Sequence, residues 1–261
     1  MKEENGRRID IRRKKILALL EREGQVRVSR LSDLLDTTVV TIRSDLDALE
    51  KEGYLERVQG GAVLTANNFY NLDFQARKQK NVEYKKAIAA ATAELVQDGE
   101  TLMLNSGTTT YFTAVELKKR KNLNIVTNSI SVAVELGAVP GFRVILLGGE
   151  INAQYAFLYG ADAQEQLGRY KADKAILSLD GVSQAYGLTT YHAEEAVIDR
   201  CMMERARQTL VVADYSKFGH ESFSFVATAE QADVWVTNDC VNDPDSETLI
   251  KCGMQVIRCP M

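Results

Sequence analysis

From about residue 84 to residue 261, short apolar runs alternate with helical stretches, and that alternation leaves few architectures open. Strands are expected at Thr101–Leu104, Asn124–Val126, Arg143–Leu147, Lys174–Leu179, Thr209–Ala213, Val234–Thr237 and Gln255–Ile257. Helices are expected at about Val82–Gln97, from Thr109, and over Ser131–Leu136, Ala193–Arg207 and Asp245–Lys251. Strands repeatedly joined through helices make βαβ units, so this part reads as an α/β domain with a mainly parallel sheet covered on both faces.

The carboxyl ends of these strands are unusually polar. Six strands run into Asn105-Ser106-Gly107-Thr108-Thr109, Thr127-Asn128-Ser129, Gly148-Gly149-Glu150, Asp180-Gly181, Asp214-Tyr215-Ser216-Lys217 and Thr237-Asn238-Asp239. Open α/β sheets bind ligands outside the carboxyl ends of their strands, where these polar turns gather. Asn105 to Thr109 brings a glycine and a run of hydroxyls to a helix N-terminus, which suits a phosphate; an N-cap with no ligand is the alternative. The run is neither a Walker loop nor GxGxxG, so no nucleotide cofactor is indicated. Lys217 offers a cation to the same anion, or is a surface lysine. Thr189 and Glu195 offer a hydroxyl and a carboxylate to sugar hydroxyls, Glu195 having helix-start acidity as its other reading. The effector-site candidates are Asn105, Ser106, Gly107, Thr108, Thr109, Gly149, Asp180, Gly181, Thr189, Glu195 and Lys217.

The first 64 residues carry another pattern. A helix is expected from about Arg7 to Glu23, stopped by Gly24, then a brief strand Val26–Val28. Ser29 is a candidate N-cap for a short helix Arg30–Leu35 with Leu31, Leu34 and Leu35 inward, and Asp36-Thr37 turns the chain. Thr37–Glu52 then reads as one helix of roughly 24 Å, with Val39, Ile42, Leu46 and Leu49 as its buried stripe. Gly53 ends it, and Tyr54–Val58, Gln59-Gly60-Gly61 and Ala62–Leu64 read as a hairpin. That order is a winged helix-turn-helix, whose second turn-unit helix enters a DNA major groove. Its outward candidates are Thr37, Thr38, Val40, Thr41, Arg43 and Ser44, with Arg57 on the wing. Arg57 and the basic cluster Arg7, Arg8, Arg12, Arg13, Lys14 and Lys15 suit phosphates; a solvated helix face is the cluster's alternative. Residues 65–83 read as a linker with a short helix at its end, and residues 84–261 as the sensing domain.

Charge supports this division. Residues 1–64 carry 13 Lys+Arg against 12 Asp+Glu, and the rest 19 against 24. The overall net charge of −4 argues against unspecific nucleic-acid coating but permits a specific module. Cys201, Cys240, Cys252 and Cys259 form no CxxC pair and have only His192 and His220 to join them, so no metal site is expected. Reduced thiols, a polar start MKEENGRRID and the lack of a long apolar run lead to the expectation of a cytoplasmic protein without signal peptide or membrane span.

R..I...L...G.V.V..L followed by TIRSDLDALEKEGYLERVQGGA resembles the N-terminal module of the DeoR/GlpR family of bacterial repressors. The later motifs SGTT (Ser106–Thr109), VTNS (Val126–Ser129), LLGG (Leu146–Gly149), GLTT (Gly187–Thr190) and ADYSKFG (Ala213–Gly219) resemble its sensor domain. The resemblance implies a sensor similar in fold to ribose-5-phosphate isomerase and CoA transferases, binding a phosphorylated sugar. It also implies double-stranded operator DNA as partner, a carbohydrate-utilisation operon as target and a homodimer or homotetramer as the binding form. Family members tend to keep an arginine and a lysine in the connection, matched by Arg77 and by Lys85 or Lys86; Arg77 contacts the sensor domain or is a solvated charge. Five positions depart from the family: Ser44 replaces a second arginine, Gln59 a histidine, Thr-Thr a Val-Ser near the helix start, and Asn105 an aspartate. The expectation is a regulator rather than an enzyme. The alternatives are a sugar-phosphate isomerase or CoA-transferase-like enzyme with an added DNA-binding domain, and an architectural DNA-binding protein.

Overall fold

The structure, a computed structural model, describes residues 12–13, 15–17, 19–20, 25–51, 55–63, 74–240 and 243–260. The chain divides into two compact units, 1–72 and 73–261. Among the described residues no helix is long and apolar enough to cross a membrane.

In the first unit a leading helical segment, helical at 12–13, 15–17 and 19–20, precedes strand β1, Gln25–Arg27. Helix α1 spans Val28–Leu34 and helix α2 Val39–Lys51. Strands β2, Glu56–Val58, and β3, Gly61–Val63, form the hairpin, and β1 pairs with β3 on its other side. Gly61 has to be glycine there: a Cβ would sit 2.0 Å from the Val26 carbonyl oxygen. Ile16, Leu20, Val28, Leu31, Ile42, Leu46 and Leu49 close the core.

Several local expectations are corrected. Helix α1 starts at Val28, two residues before the expected Arg30, so Ser29 lies inside it and Arg27 takes the cap position with no side-chain bond. Val28 is buried in the core, and that burial fixes the start. Leu34 is 55% exposed and Val39 39% exposed, so neither belongs to the buried stripes. Asp45, not in the expected stripe, is buried and bonded to Arg12 and Arg13. Gly24, Gly53, Tyr54 and Leu64 lie outside the described residues, as do residues 65–73 of the expected linker. The described remainder of that linker is helical: α3, Phe74–Gln79, and the start of α4, Val82–Glu94.

The second unit is built on a parallel sheet of seven strands. They are β4 Thr101–Leu104, β5 Asn124–Thr127, β6 Arg143–Leu146, β9 Ala172–Leu177, β12 Ala206–Val212, β14 Val234–Asn238 and β15 Gln255–Cys259, in spatial order β15-β14-β12-β9-β4-β5-β6. Successive side chains on a strand point to opposite faces. Met103, Ala175, Leu177, Val211 and Trp235 thus pack on one face with Leu167, Ile198 and Met202 from helices α7, Ala161–Gly168, and α8, Ala193–Arg205. Leu102, Leu104, Ile176, Leu210 and Val236 pack on the other with Ile88, Ala114 and Leu136 from α4 and helices α5, Thr108–Leu117, and α6, Ile130–Gly137. Two pieces have no counterpart in the sequence pattern: the hairpin β7, Glu150–Asn152, with β8, Phe157–Tyr159, and a small antiparallel sheet of β10, Gly181–Ser183, β11, Gly187–Thr190, and β13, Ser224–Ala227.

The strand order localises the site. The chain enters at β4, moves outward to β5 and β6, then crosses back to β9 on the other side of β4 and continues to β12, β14 and β15. The order reverses between β4 and β9, and at such a switch point the loops leaving the two strands part and open a crevice.

Candidate functional site

The sequence predicts two surfaces, one in each unit. In the first unit, Thr37 and Thr38 precede α2. Thr38 caps it, its Oγ1 accepting from the Thr41 amide at 3.2 Å and lying 2.9 Å from the Thr41 hydroxyl. Ser32 Oγ donates to the Thr37 carbonyl at 2.5 Å, fixing the turn between the helices. Val40 is 75% exposed, and Arg43 and Ser44 are exposed beside it, so the face assigned to bases presents a methyl pair, a guanidinium and a hydroxyl.

The basic residues are differently employed than expected. Arg12 and Arg13 both bond the buried Asp45 carboxylate, which joins the leading segment to α2. Arg57 Nη1 pairs with Asp47 and donates to the Arg43 carbonyl at 3.3 Å, while its amide donates to Glu50 at 2.7 Å. Arg57 therefore braces the wing against α2. Nη1 thus has two protein acceptors, and the phosphate contact expected of Arg57 would fall to the remaining N–H donors of its guanidinium. Arg7, Arg8 and Lys14 lie outside the described residues.

In the second unit, the loops after β4, β9 and β12 meet at the switch point with the start of α8. Asp180, three residues past the end of β9, is the centre. Its Oδ1 accepts from Arg77 Nη2 at 3.0 Å and Lys217 Nζ at 3.2 Å, and its Oδ2 accepts from the Tyr191 amide at 3.1 Å. Lys217 arrives on a single 3-10 turn, Tyr215–Lys217, capped by Asp214 and backed by Phe218 stacked on Trp235. Arg77 arrives on α3; the helix is held by Lys85, whose Nζ donates to the carbonyls of Arg77 and Lys80.

Beside this cluster lies a carboxylate chain. Ser106 Oγ donates to Glu195 Oε1 at 2.5 Å, and Thr190 Oγ1 lies 3.1 Å from Glu195 Oε2 and 3.3 Å from Asp180 Oδ2. One helical turn on, Asp199 Oδ1 accepts from Asn105 Nδ2 at 3.0 Å. Burial pushes Glu195 above its ordinary range, as does the charge of Asp180. Burial, then the neighbouring Glu195, pushes Asp199 well up. Burial also acts upward on Asp180, yet Arg77 and Lys217 outweigh it and hold that carboxyl below its ordinary range. Burial lowers Lys217, against the pull of Asp180. Two carboxyls are thus biased to keep a proton and one to stay ionised between two cations. The arrangement favours an incoming anion over a metal ion.

Not every candidate faces this crevice as a ligand would need. Asn105 is corrected: Nδ2 donates to Asp199 and the Ser178 carbonyl, and Oδ1 accepts from Thr110 Oγ1 and from the Ser178 and Gly107 amides. The amide is saturated and acts as a clamp between β4 and β9. Gly107, Gly149 and Gly181 sit where backbone meets protein. An added Cβ would lie 2.1 Å from Ser178 Cβ, 2.3 Å from the Tyr159 oxygen and 2.3 Å from the His220 oxygen, respectively. Thr189 Oγ1 accepts from the Ser222 amide at 2.9 Å and fills the space beside Gly181. Gly107, Gly181 and Thr189 shape the crevice from behind, while Gly149 packs against Tyr159 and Ala163 at the edge of the sheet. Thr108 and Thr109 open α5 with buried side chains, and their amides belong to the first turn, which has no intrahelical acceptors. Of the Arg77 alternatives, the solvated charge is excluded by its contact with Asp180. Sequence reasoning misses Thr190 and Asp199, which bond Glu195, Asp180 and Asn105. Asp199 carries a recoverable signal, standing four residues after Glu195 on one helix face.

Comparison with known proteins matches each unit to a family model. The DeoR-like helix-turn-helix domain matches residues 12–68, and the DeoR C terminal sensor domain matches residues 80–239. The HTH-type transcriptional regulator GolR of Listeria innocua is 32% identical over 231 residues, covering 88% of this chain and 91% of its own. The HTH-type transcriptional repressor GlcR of Bacillus subtilis is 30% identical over 242 residues, covering 93% of each. The glycerol-3-phosphate regulon repressor of Escherichia coli K12 is 30% identical over 223 residues, covering 85% and 88%. Among solved structures, ribose 5-phosphate isomerase A of Methanocaldococcus jannaschii aligns over 53% of this chain and 55% of its own, with a TM-score of 0.41 and 18% identity. The chain belongs to the DeoR family.

Proposed function

We propose that this DeoR-family chain is a DNA-binding transcriptional repressor of a carbohydrate-utilisation operon, released from its operator when a phosphorylated sugar enters the switch-point crevice. The observation that carries the reading is the pair of cations, Arg77 and Lys217, held on the buried Asp180 carboxylate. A phosphate brings strong acceptors that compete with Asp180 for both. Arg77 stands on the first described helix after the DNA-binding unit, so a ligand that draws it off Asp180 perturbs the segment through which the chain continues toward residues 1–64. Such a ligand changes DNA affinity only if it binds the DNA-competent and incompetent arrangements unequally.

The same proposal covers the direct contacts. Thr37, Thr38, Val40, Thr41, Arg43 and Ser44 face the operator, and Ser106, Thr108, Thr109, Glu195 and Lys217 face the effector. The protein acts in the cytoplasm as a homodimer or homotetramer, two modules spanning half-sites about 10 bp apart or a multiple of it.

The test is a thermal-shift screen against phosphorylated sugars, each hit then being assayed for release of DNA from upstream of the neighbouring genes. Lys217→Ala should weaken the hit's binding while the chain stays folded. Absence of salt-dependent, sequence-selective DNA binding sinks the repressor reading.

A second reading, a sugar-phosphate isomerase, has one observation behind it: the raised Glu195 carboxyl beside Asp180 resembles a poised general acid or base. Against it, Ser106 and Thr190 occupy both Glu195 oxygens. Turnover of ribose 5-phosphate that Glu195→Gln abolishes would favour the enzyme.

A further inference from the structure

Among the buried side-chain polar atoms without a hydrogen-bond partner in the described residues, Asp199 Oδ2 and Ser222 Oγ included, are the Tyr155 hydroxyl and His192 Nε2, next to the Asp180 cluster. Tyr155 is only 5% exposed, and a buried hydroxyl left unpaired costs free energy that folded chains rarely leave unrecovered. The two side chains are neighbours, ring centroids 4.5 Å apart and inclined at 66°. Phe157 and Tyr191 pack on His192 at 5.7 and 5.1 Å, so the pair is held in an aromatic frame.

Both reach the site through short links. The Arg77 guanidinium lies over the Tyr155 ring, 5.8 Å from its centroid, and bonds Asp180 with its Nη2. His192 comes directly after Tyr191, whose amide bonds Asp180, and caps α8 three residues before Glu195. The turn carrying Tyr155 also touches α3 directly, the Phe74 amide donating to the Gln154 carbonyl at 3.3 Å. Anion-binding cations and two neutral, unpaired hydrogen-bonding atoms therefore share one crevice.

We infer that Tyr155 and His192 form the hydroxyl-recognising wall of the effector site, pairing with carbon-borne hydroxyls of a sugar phosphate whose phosphate is held by Arg77 and Lys217. The inference rests on the proposed effector reading and sharpens it: the ligand is a polyhydroxylated phosphate ester, and inorganic phosphate satisfies only half the site. Burial holds the phenol protonated and the imidazole neutral, so each atom exchanges a hydrogen bond with a hydroxyl without a change of charge.

The test uses the full chain, a panel of aldose and ketose phosphates, and inorganic phosphate as the sugar-free control, titrated calorimetrically. Tyr155→Phe removes the hydroxyl and keeps the ring; His192→Leu removes the imidazole at similar volume. Each variant should bind the preferred sugar phosphate about tenfold more weakly, the scale of one neutral hydrogen bond, with inorganic phosphate affinity unchanged. The ligand-free Tyr155→Phe chain should melt at or above the parent temperature, since it loses an unpaired group. A lowered melting temperature would reveal an internal partner for the hydroxyl and overturn the inference. So would unchanged sugar-phosphate affinity in both variants, which leaves the effector reading standing. Failure of every sugar phosphate to bind the parent chain removes that reading and this one together.

Discussion

Breaking the Arg77–Asp180 ion pair should reveal how tightly helix α3 is tied to the crevice. The pair is 3.0 Å long with side-chain exposures of 18% and 3%, so it is screened little by water. Removing one partner of a buried pair costs about 3–5 kcal/mol when the remaining charge is stranded. After Arg77→Met, however, Asp180 keeps Lys217 at 3.2 Å and the Tyr191 amide at 3.1 Å, so about 2 kcal/mol is the expected loss. For a unit of this size that lowers its melting temperature by about 4–8 °C. Asp180→Asn strands two cations instead of one anion and should cost more. In the double variant the pair is absent from both partners, and the cycle should return a coupling of about 1.5–3 kcal/mol. The assay is denaturant unfolding of the full chain at pH 7, monitored by a probe in residues 73–261, such as Trp235 fluorescence. Because Asp180 is held below its ordinary range, the coupling is present at neutral pH and lost as pH falls through that lowered value. Additivity within about 0.5 kcal/mol would show that the two residues do not interact and refute the tie between α3 and Asp180.

Other consequences can be measured separately. Gly107→Ala places a Cβ against Ser178 and should destabilise the chain by about 1–3 kcal/mol, a near-neutral melting curve refuting the close approach. Arg43→Ala should weaken operator binding, and if Arg43 contacts a phosphate the slope of log affinity against log salt falls by about 1; an unchanged affinity removes it from the interface. Burial lowers Lys85 from its ordinary 10.5 to about 7, so the unfolded chain binds more protons than the folded one between those values. Stability contributed by this site therefore rises with pH from about 7 upward, by up to about 1.4 kcal/mol per unit. Measured against Lys85→Met, the parent should gain between pH 7 and 9, and a constant difference would contradict the buried placement.

The parallel sheet was legible because its strands are apolar runs, TLML, NIVT and VWVTN among them, each ending in an abrupt polar turn. What escaped has short or polar sequence. Strands EIN and GVS are three residues each and show no alternation. Helix α3, FQARKQ, has only Phe74 and Ala76 as apolar residues, so a short helix at the linker's end was legible but its tertiary contacts to Asp180 and Gln154 were not. Leu34 and Val39 misled for the opposite reason: periodicity places a residue on a face but not the edge where that face meets solvent.

The site was legible as a place before it was legible as a set of contacts. Polar strand ends alone make six loops of equal standing; the reversal of strand order between β4 and β9 separates them. In the Thr127–Ser129 loop, Ser129 caps α6 and Asn128 Nδ2 donates to the Leu158 carbonyl. The loops at the reversal hold the groups with unequal charge. A similar device appears in both units, a buried carboxylate between two cations, Asp45 with Arg12 and Arg13 and Asp180 with Arg77 and Lys217. The first joins two helical segments whose apolar residues form the core of the DNA module. The second stands beside the unpaired Tyr155 hydroxyl and His192 Nε2 and next to carboxyls biased toward the protonated form. Sequence assigns the same charges to both clusters, so charge alone cannot tell a brace from a site. The unmatched neutral groups do: the cluster at Asp180 stands next to hydrogen-bonding capacity that a hydroxylated anion would use.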